Sequence, residues 1–329
     1  FSGCISLKSI VIPSSVTSFE QFCFDHCLSL TSINIPSSVT SIGAYCFCGC
    51  ESLTSINIPS SITSFGWSCF DGCKSLTSID IPSSVSALYD FCFAGCSSLK
   101  SIKIPYSVTS IGDRCFDSCP SLMQIKVDEA NRVYDSRFNC NAIIHTASNT
   151  MIAGCKTTII PSSVTSLGNM CFKGSSLKYI TIPSSVTSLG DDCFWGCDSL
   201  SYITIPSSVN SIGDGCFGFC YSIKTVICNI PKAIKGDFFE FSNFRSAYLY
   251  VPEQSLSSYK STEPWCHFRA INPNGPMEYK VSPDTKQAEI TSLNNAEMTE
   301  VFIPETVEVD GKTYTVTNIA DEAFKGNEC

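Results

Sequence analysis

Twenty-two cysteines and three histidines are the residues of this 329-residue chain with the widest chemical reach. Most of the cysteines fall into two columns. One stands directly before a phenylalanine: Cys23, Cys46, Cys69, Cys92, Cys115, Cys171, Cys193 and Cys216. The other lies three residues after that phenylalanine: Cys27, Cys50, Cys73, Cys96, Cys119, Cys197 and Cys220, with Cys4 in register at the start. Zinc is disfavoured, because C-x3-C with Phe inside it is not a zinc-finger spacing and histidine is nearly absent. Disulfides between neighbouring repeats stay open, since adjacent strands lie about 4.8 Å apart, inside the Cα range of a bridge. The chain supplies its own control on both chemistries. Ala323 stands before Phe324, and Ser175 stands three residues after Phe172. A ligand or a disulfide half would not survive those exchanges, whereas a small buried side chain would, so packed, reduced thiols are the preferred reading. Cys48, Cys140, Cys155, Cys228, Cys266 and Cys329 depart from the columns and are the better candidates for reactive thiols.

His26 lies between Cys23 and Cys27, which suggests a thiol–imidazole pair. It takes a position held by Gly in other repeats, however, and so is expected to point to solvent. His145 and His267 sit in unrelated contexts, and no G-x-S-x-G or H-E-x-x-H setting occurs. Acidic residues are scattered singly. Asp128, Glu129, Asp135 and His145 share the one long break in the repeat but are too loosely placed for assigned roles. No phosphate-cradling glycine loop is present. No catalytic residue, cofactor or metal ligand is assigned, and the chain is expected not to be an enzyme.

The elements that position these residues are repeats. Prolines at 13, 36, 59, 82 and 105, resuming at 161, 183 and 206, mark the period S-L-x-x-I-x-I-P-S-S-V-x-S-[IL]-G-x-x-C-F-x-G-C. A fixed period in the 20–29 range means stacked coils, each one supersecondary unit that cannot fold alone. In "LTSINIP", Leu30, Ile33 and Ile35 fit a strand with Ile33 and Ile35 inward and Ser32 and Asn34 outward. Pro36 ends it, "SSVTSIG" returns with Val39 and Ile42 inward, and Gly43 and its counterparts turn the backbone. "CF" is a short helical turn whose aromatic residues form a spine: Phe1, Phe24, Phe47, Phe70, Phe93, Phe116, Phe172, Phe194 and Phe217. The interval 126–160 reads as a repeat decorated by a β-hairpin around "HTASNT". The fold class is a leucine-rich-repeat type solenoid, with one parallel strand per coil of about 23 residues plus short turns.

Three segments follow. Residues 1–228 are the array. Residues 229–275 are its C-terminal cap, with Tyr259, Trp265, Phe268 and Ile271 over the open end of the spine. "NPNGP" at 272–276 reads as a linker, and residues 276–329 continue from it with hairpins at "SPDTKQ" and Asp310-Gly311, reading as the cap and first coil of a second array. Both ends read as cut, so the chain is taken as a fragment.

The phrases "IPSSVTSIG", "CF" or "AF", and "GC…SLxxIxIP" resemble the BspA-like leucine-rich repeat family over nearly the whole chain. "LYVPEQSLSSYKSTEPWCHF" is similar to its C-terminal cap, and "NCNAIIHTASNTMIAGCKTTIIPSSVTSLG" to its hairpin variant. The resemblance implies a curved solenoid displayed on bacterial surfaces, binding host matrix proteins or other cells. Cys for the more usual Ala before Phe resembles protozoan versions, while the capping segments resemble bacterial ones. It carries no universal binding residues.

Charged content is only 16 %, and net charge is −9 without a basic stripe, which excludes phosphate-backbone binding to nucleic acid. No apolar run reaches membrane-spanning length. Outward strand positions form rows. One row runs from Ser9 and Ser32 to Tyr179, Tyr202 and Thr225; the next includes Asn34, Asn57, Asp80 and Lys103. The expected function is a monomeric, cell-surface or secreted binding scaffold for a host extracellular or cell-surface protein. Its candidate contacts are Asn34, Asn57, Asp80, Lys103, Tyr179 and Tyr202, the two tyrosines being read as adjacent exposed contacts. Glycan binding on the tyrosines and a passive spacer remain alternatives.

Overall fold

The computed structural model describes residues 1–239, 244, 246–293, 303–304, 306–309 and 312–324. The chain is a β-solenoid of about 11 turns, mostly parallel strands with very little helix. Two β ladders run along it. In the first, Ser32–Asn34 pairs with Ser55–Asn57, and farther along Ser78–Ile79 pairs with Ser101–Ile104 and that with Gln124–Val127. It resumes with Tyr179–Thr181, Tyr202–Ile205, Thr225–Cys228, Tyr248–Val251 and Ala270–Pro273, all parallel. The second ladder uses the returning "TSI" segments, for example Ser18–Phe19 with Ser41–Ile42 and Ser166–Leu167 with Ser188–Leu189. Between the ladders lie Leu30, Ile33, Ile35, Val39 and Ile42, all buried, and their equivalents, of which Leu7, Ile10, Ile12, Val16 and Ile111 are partly buried. No single coil holds that core alone.

The "CF" turn forms a third line of coil-to-coil hydrogen bonds. The amide of Phe24 donates to the carbonyl of Cys46 at 2.8 Å, Phe47 to Cys69 at 2.9 Å and Phe70 to Cys92 at 2.9 Å. These bonds hold the rings in a stack, with centroids 5.4 Å apart for Phe1–Phe24, 5.5 Å for Phe24–Phe47 and 5.6 Å for Phe47–Phe70, and nearly parallel planes. Offset stacking of this kind adds to the area each ring buries. Phe239 extends the stack beyond Phe217, at 5.3 Å, although it lies outside the repeat phrase.

The turn glycines work differently from expectation. Gly66 is not left-handed; an added Cβ there would fall 2.2 Å from the amide nitrogen of Ala44, so the close approach of the neighbouring coil excludes a side chain. The left-handed residues instead flank the "CF" pair, as at Tyr45 (φ 57°) and Gly49 (φ 66°).

Between Phe116 and Phe172 the stack is broken by the hairpin, whose strands Ala142–His145 and Thr150–Gly154 are antiparallel. Thr150–Gly154 then joins Ser166–Leu167 in parallel, which returns the chain to the array. Beyond it, Tyr259, Trp265 and Phe268 are buried at the far end of the spine. Tyr259 donates to the carbonyl of Ile230 at 2.9 Å, and the Trp265 indole to that of Ile234 at 2.8 Å. Asn272 and Pro273, expected in a linker, instead continue the first ladder opposite Tyr250 and Val251. Farther on, Met277–Ser282 pairs with Gln287–Leu293, and Thr306–Val309 with Lys312–Ile319, both antiparallel. The expected turn at Asp310-Gly311, and Cys329, lie outside the described residues.

Candidate functional site: the outward rows of the first ladder

Strand pairing brings the outward residues into register. Ser32 faces Ser55 and Asn34 faces Asn57; Ser78 faces Ser101, and Lys103 faces Lys126. Asp80 directly follows the strand Ser78–Ile79. Asn34, Asn57, Asp80 and Lys103 are all exposed. Lys103 reaches Asp128 at 3.1 Å, so the row ends in an ion pair whose carboxyl is held below its usual range. The backbone amide of Ala130 and the Lys103 ammonium are the main causes.

The two tyrosines do not share a surroundings. Tyr179 faces Tyr202 across the ladder, yet Tyr179 is 56 % exposed and Tyr202 only 5 %. The expected pair of exposed aromatics is therefore corrected to one. The terminal hairpins cover this stretch. Burial pushes the Tyr202 phenol up to about 12, and burial together with the Tyr202 charge pushes the Tyr279 phenol up. Nearby, the amide of Ser207 donates to the Glu308 carboxylate at 3.2 Å, its hydroxyl donates to the same group, and Ser184 and Thr313 share a 3.4 Å hydroxyl contact.

The cysteine columns are free thiols among the described residues, and the second column has a definite task. Cys50 donates its thiol hydrogen to the carbonyl of Phe24 at 3.1 Å, Cys73 to Phe47 at 3.2 Å, Cys96 to Phe70 at 3.2 Å and Cys220 to Phe194 at 3.0 Å. Burial pushes Cys69, Cys73 and Cys96 well above the thiol range and Cys50 to about 12. Such thiols are poor nucleophiles. Three of the off-column candidates, Cys140, Cys155 and Cys228, are buried as well, and Cys228 lies 3.2 Å from the Tyr259 hydroxyl. Two members of the first column depart from this: a hydrogen bond from Cys46 brings half-buried Cys23 down to about 7, and in buried Cys193 burial is outweighed by hydrogen bonds from Cys171 and Cys216, which bring it down to about 6.

The hairpin residues are held by structural partners. Asp135 pairs with Arg137 at 2.6 Å, His145 contacts Ser148 at 2.9 Å, and Asp128 meets Lys103. A cavity of about 270 Å³ opens where the spine breaks, lined by Phe116, Tyr134, His145 and Phe172. Its flanking cations are paired, Arg114 with Asp117 at 2.9 Å and Lys173 with Asp192 at 2.7 Å.

Stacked coils with one parallel strand each and a continuous aromatic spine define a leucine-rich-repeat solenoid. The chain belongs to the BspA-type leucine-rich-repeat family, whose region matches in six copies over residues 1–88, 21–145 and 149–260. Among solved structures it is similar to a leucine-rich repeat protein from Eubacterium ventriosum. That match has 25 % identity, covers 81 % of this chain and 73 % of the other, and has a TM-score of 0.63. It is also similar in fold to the pneumococcal vaccine antigen PcpA, with 18 % identity, 82 % and 89 % coverage and a TM-score of 0.56. No curated protein matches the chain by sequence.

Proposed function

We propose that the chain is a non-enzymatic, surface-displayed scaffold that binds a host or cell-surface protein through the outward rows of its first ladder. The observation that carries this reading is the contrast along one sheet face. The Asn34–Asn57–Asp80–Lys103 row is open to solvent, while Tyr202 is covered from the terminal hairpins. An in-register row of amides and opposed charges offers several coils' worth of hydrogen-bonding groups to one large partner. Tyr179 supplies a rigid aromatic contact at the edge of the covered stretch. Surface display is supported by the BspA type of the repeat and by PcpA's being a vaccine antigen. In this reading residues 229–275 cap the array and 276–329 begin a second one. The array itself acts as a monomer, without nucleic acid or membrane insertion. Among the described residues no helix is long and apolar enough to cross a membrane.

The glycan alternative rests on stacked sugar platforms, and the burial of Tyr202 leaves it Tyr179 alone. The test is a screen of the folded chain against immobilised matrix proteins and a glycan array, each at low and high salt. A matrix-protein hit that weakens with salt is expected. A glycan hit indifferent to salt would replace the protein reading, and no hit on either panel would leave a spacer.

A further inference from the structure

Two residues break the repeat near its start, and the coil geometry brings them together. His26 stands where Gly49, Gly72 and Gly95 stand in later coils. Cys48 belongs to neither cysteine column; its counterparts are Asp25, Asp71 and Ala94. His26 adopts the left-handed conformation of that position, φ 52°, and its amide donates to the Cys48 carbonyl at 2.7 Å. Its ring lies over Gly49, where an added Cβ would come within 3.0 Å of Cδ2. The ring therefore fits only because the next coil keeps its glycine. The imidazole Nδ1 is 2.7 Å from Asp25 Oδ1. One ligand atom from each of Asp25, His26 and Cys48 lies within 4.8 Å of the others.

We propose that Asp25, His26 and Cys48 form a binding site for a divalent transition metal of the zinc class. A carboxylate oxygen, an imidazole nitrogen and a thiolate sulfur make a borderline-soft set, whereas calcium and magnesium ask for oxygens. In a tetrahedral zinc site the ligand atoms stand roughly 3.3–3.8 Å apart, given bonds of about 2.0–2.3 Å, so small side-chain rotations close this one. A nucleophilic Cys–His–acid arrangement would place thiol and carboxylate on opposite ring nitrogens. Here Asp25 contacts both the imidazole and the Cys48 thiol, so the three groups converge on one point. The His26 side chain is 61 % exposed, which leaves a fourth position for water or for a donor from a partner. Binding breaks the Cys48 S–H bond, releases its proton to solvent and forms the sulfur–metal bond.

Cobalt(II) titrated into the intact chain is the probe, because cobalt–thiolate bonding gives a near-ultraviolet charge-transfer band. Cys48→Ala and His26→Gly install residues that other coils carry at the same positions, and circular dichroism checks that both variants fold. The expected result is one equivalent of cobalt bound with the band present, then displaced by zinc. Cys48→Ala should abolish that band, and His26→Gly should weaken binding on the order of tenfold or more, the scale on which even outer partners act. No band in the wild type, an undiminished band in Cys48→Ala, or unchanged affinity in His26→Gly would overturn the assignment.

Discussion

Two kinds of side-chain hydrogen bond recur from the less exposed side chains of one coil to the coil before it. One is the thiol-to-carbonyl bond of the second cysteine column, which spans 26 residues. The other comes from the second serine of P-S-S. Ser38 donates to the Val16 carbonyl at 2.6 Å, Ser61 to Val39 at 2.5 Å and Ser84 to Ile62 at 2.5 Å. The serines satisfy carbonyls that the turns leave outside the ladders, where an unpaired buried acceptor would be costly, and the thiols add a second bond to carbonyls that already accept a backbone amide, as Phe24 does from Cys27. Ser61→Ala should therefore lower unfolding stability by about 1 kcal/mol, while Ser60→Ala, at the exposed serine beside it, should stay within about 0.5 kcal/mol. Denaturant unfolding of the two variants checks this. The thiols add a pH signature. An unfolded thiol ionises near pH 8.5, whereas burial holds Cys140 and Cys228 at about 11 and Cys50 at about 12. Above the unfolded value the unfolded chain binds fewer protons than the folded one, so stability falls as pH rises. The contribution is complete below about pH 8.5 and is lost as pH climbs toward these folded values. Thermal midpoints should drop steeply between about pH 9 and 11; a level midpoint through that window would contradict buried, protonated thiols.

At the scale of elements, the hairpin is what interrupts an otherwise regular spine. Gly154 lies against the Phe172 ring, where an added Cβ would come within 2.1 Å of Cε1. Gly154→Ala must displace that ring from the stack that Phe172 forms with Phe194 at 5.2 Å. Overpacking of this sort costs about 1–3 kcal/mol, measurable as a lowered denaturation midpoint. The proline period, the phenylalanine column and the inward Ile33 and Ile35 are legible in the sequence because each is a local pattern repeated in register. The hairpin is legible for the same reason, through its alternation. The approach of the terminal hairpins to the coil of Tyr202 is not, since it rests on contacts such as that of Ser207 with Glu308, far apart in the chain. Nor is the meeting of His26 with Cys48. It requires knowing that one coil's amide pairs with the next coil's carbonyl at that position.

Across the whole molecule, the terminal hairpins and the open row divide one sheet face between them. The later coils meet the end of the chain, and the earlier coils meet solvent. A partner that uses the open row must be sensitive to Asn57 and Lys103, and indifferent to an exposed residue elsewhere on the coil such as Thr63. Replacing Asn57 and Lys103 by Arg and Glu adds bulk and reverses a charge without touching the core. The decisive measurement is equilibrium binding of three folded proteins to the matrix protein scored in the screen: wild type, Asn57→Arg/Lys103→Glu and Thr63→Arg. A tenfold or greater loss, about 1.4 kcal/mol, confined to the row variant is the predicted result. Equal affinity of all three, or a loss confined to Thr63→Arg, would contradict the row as the binding face.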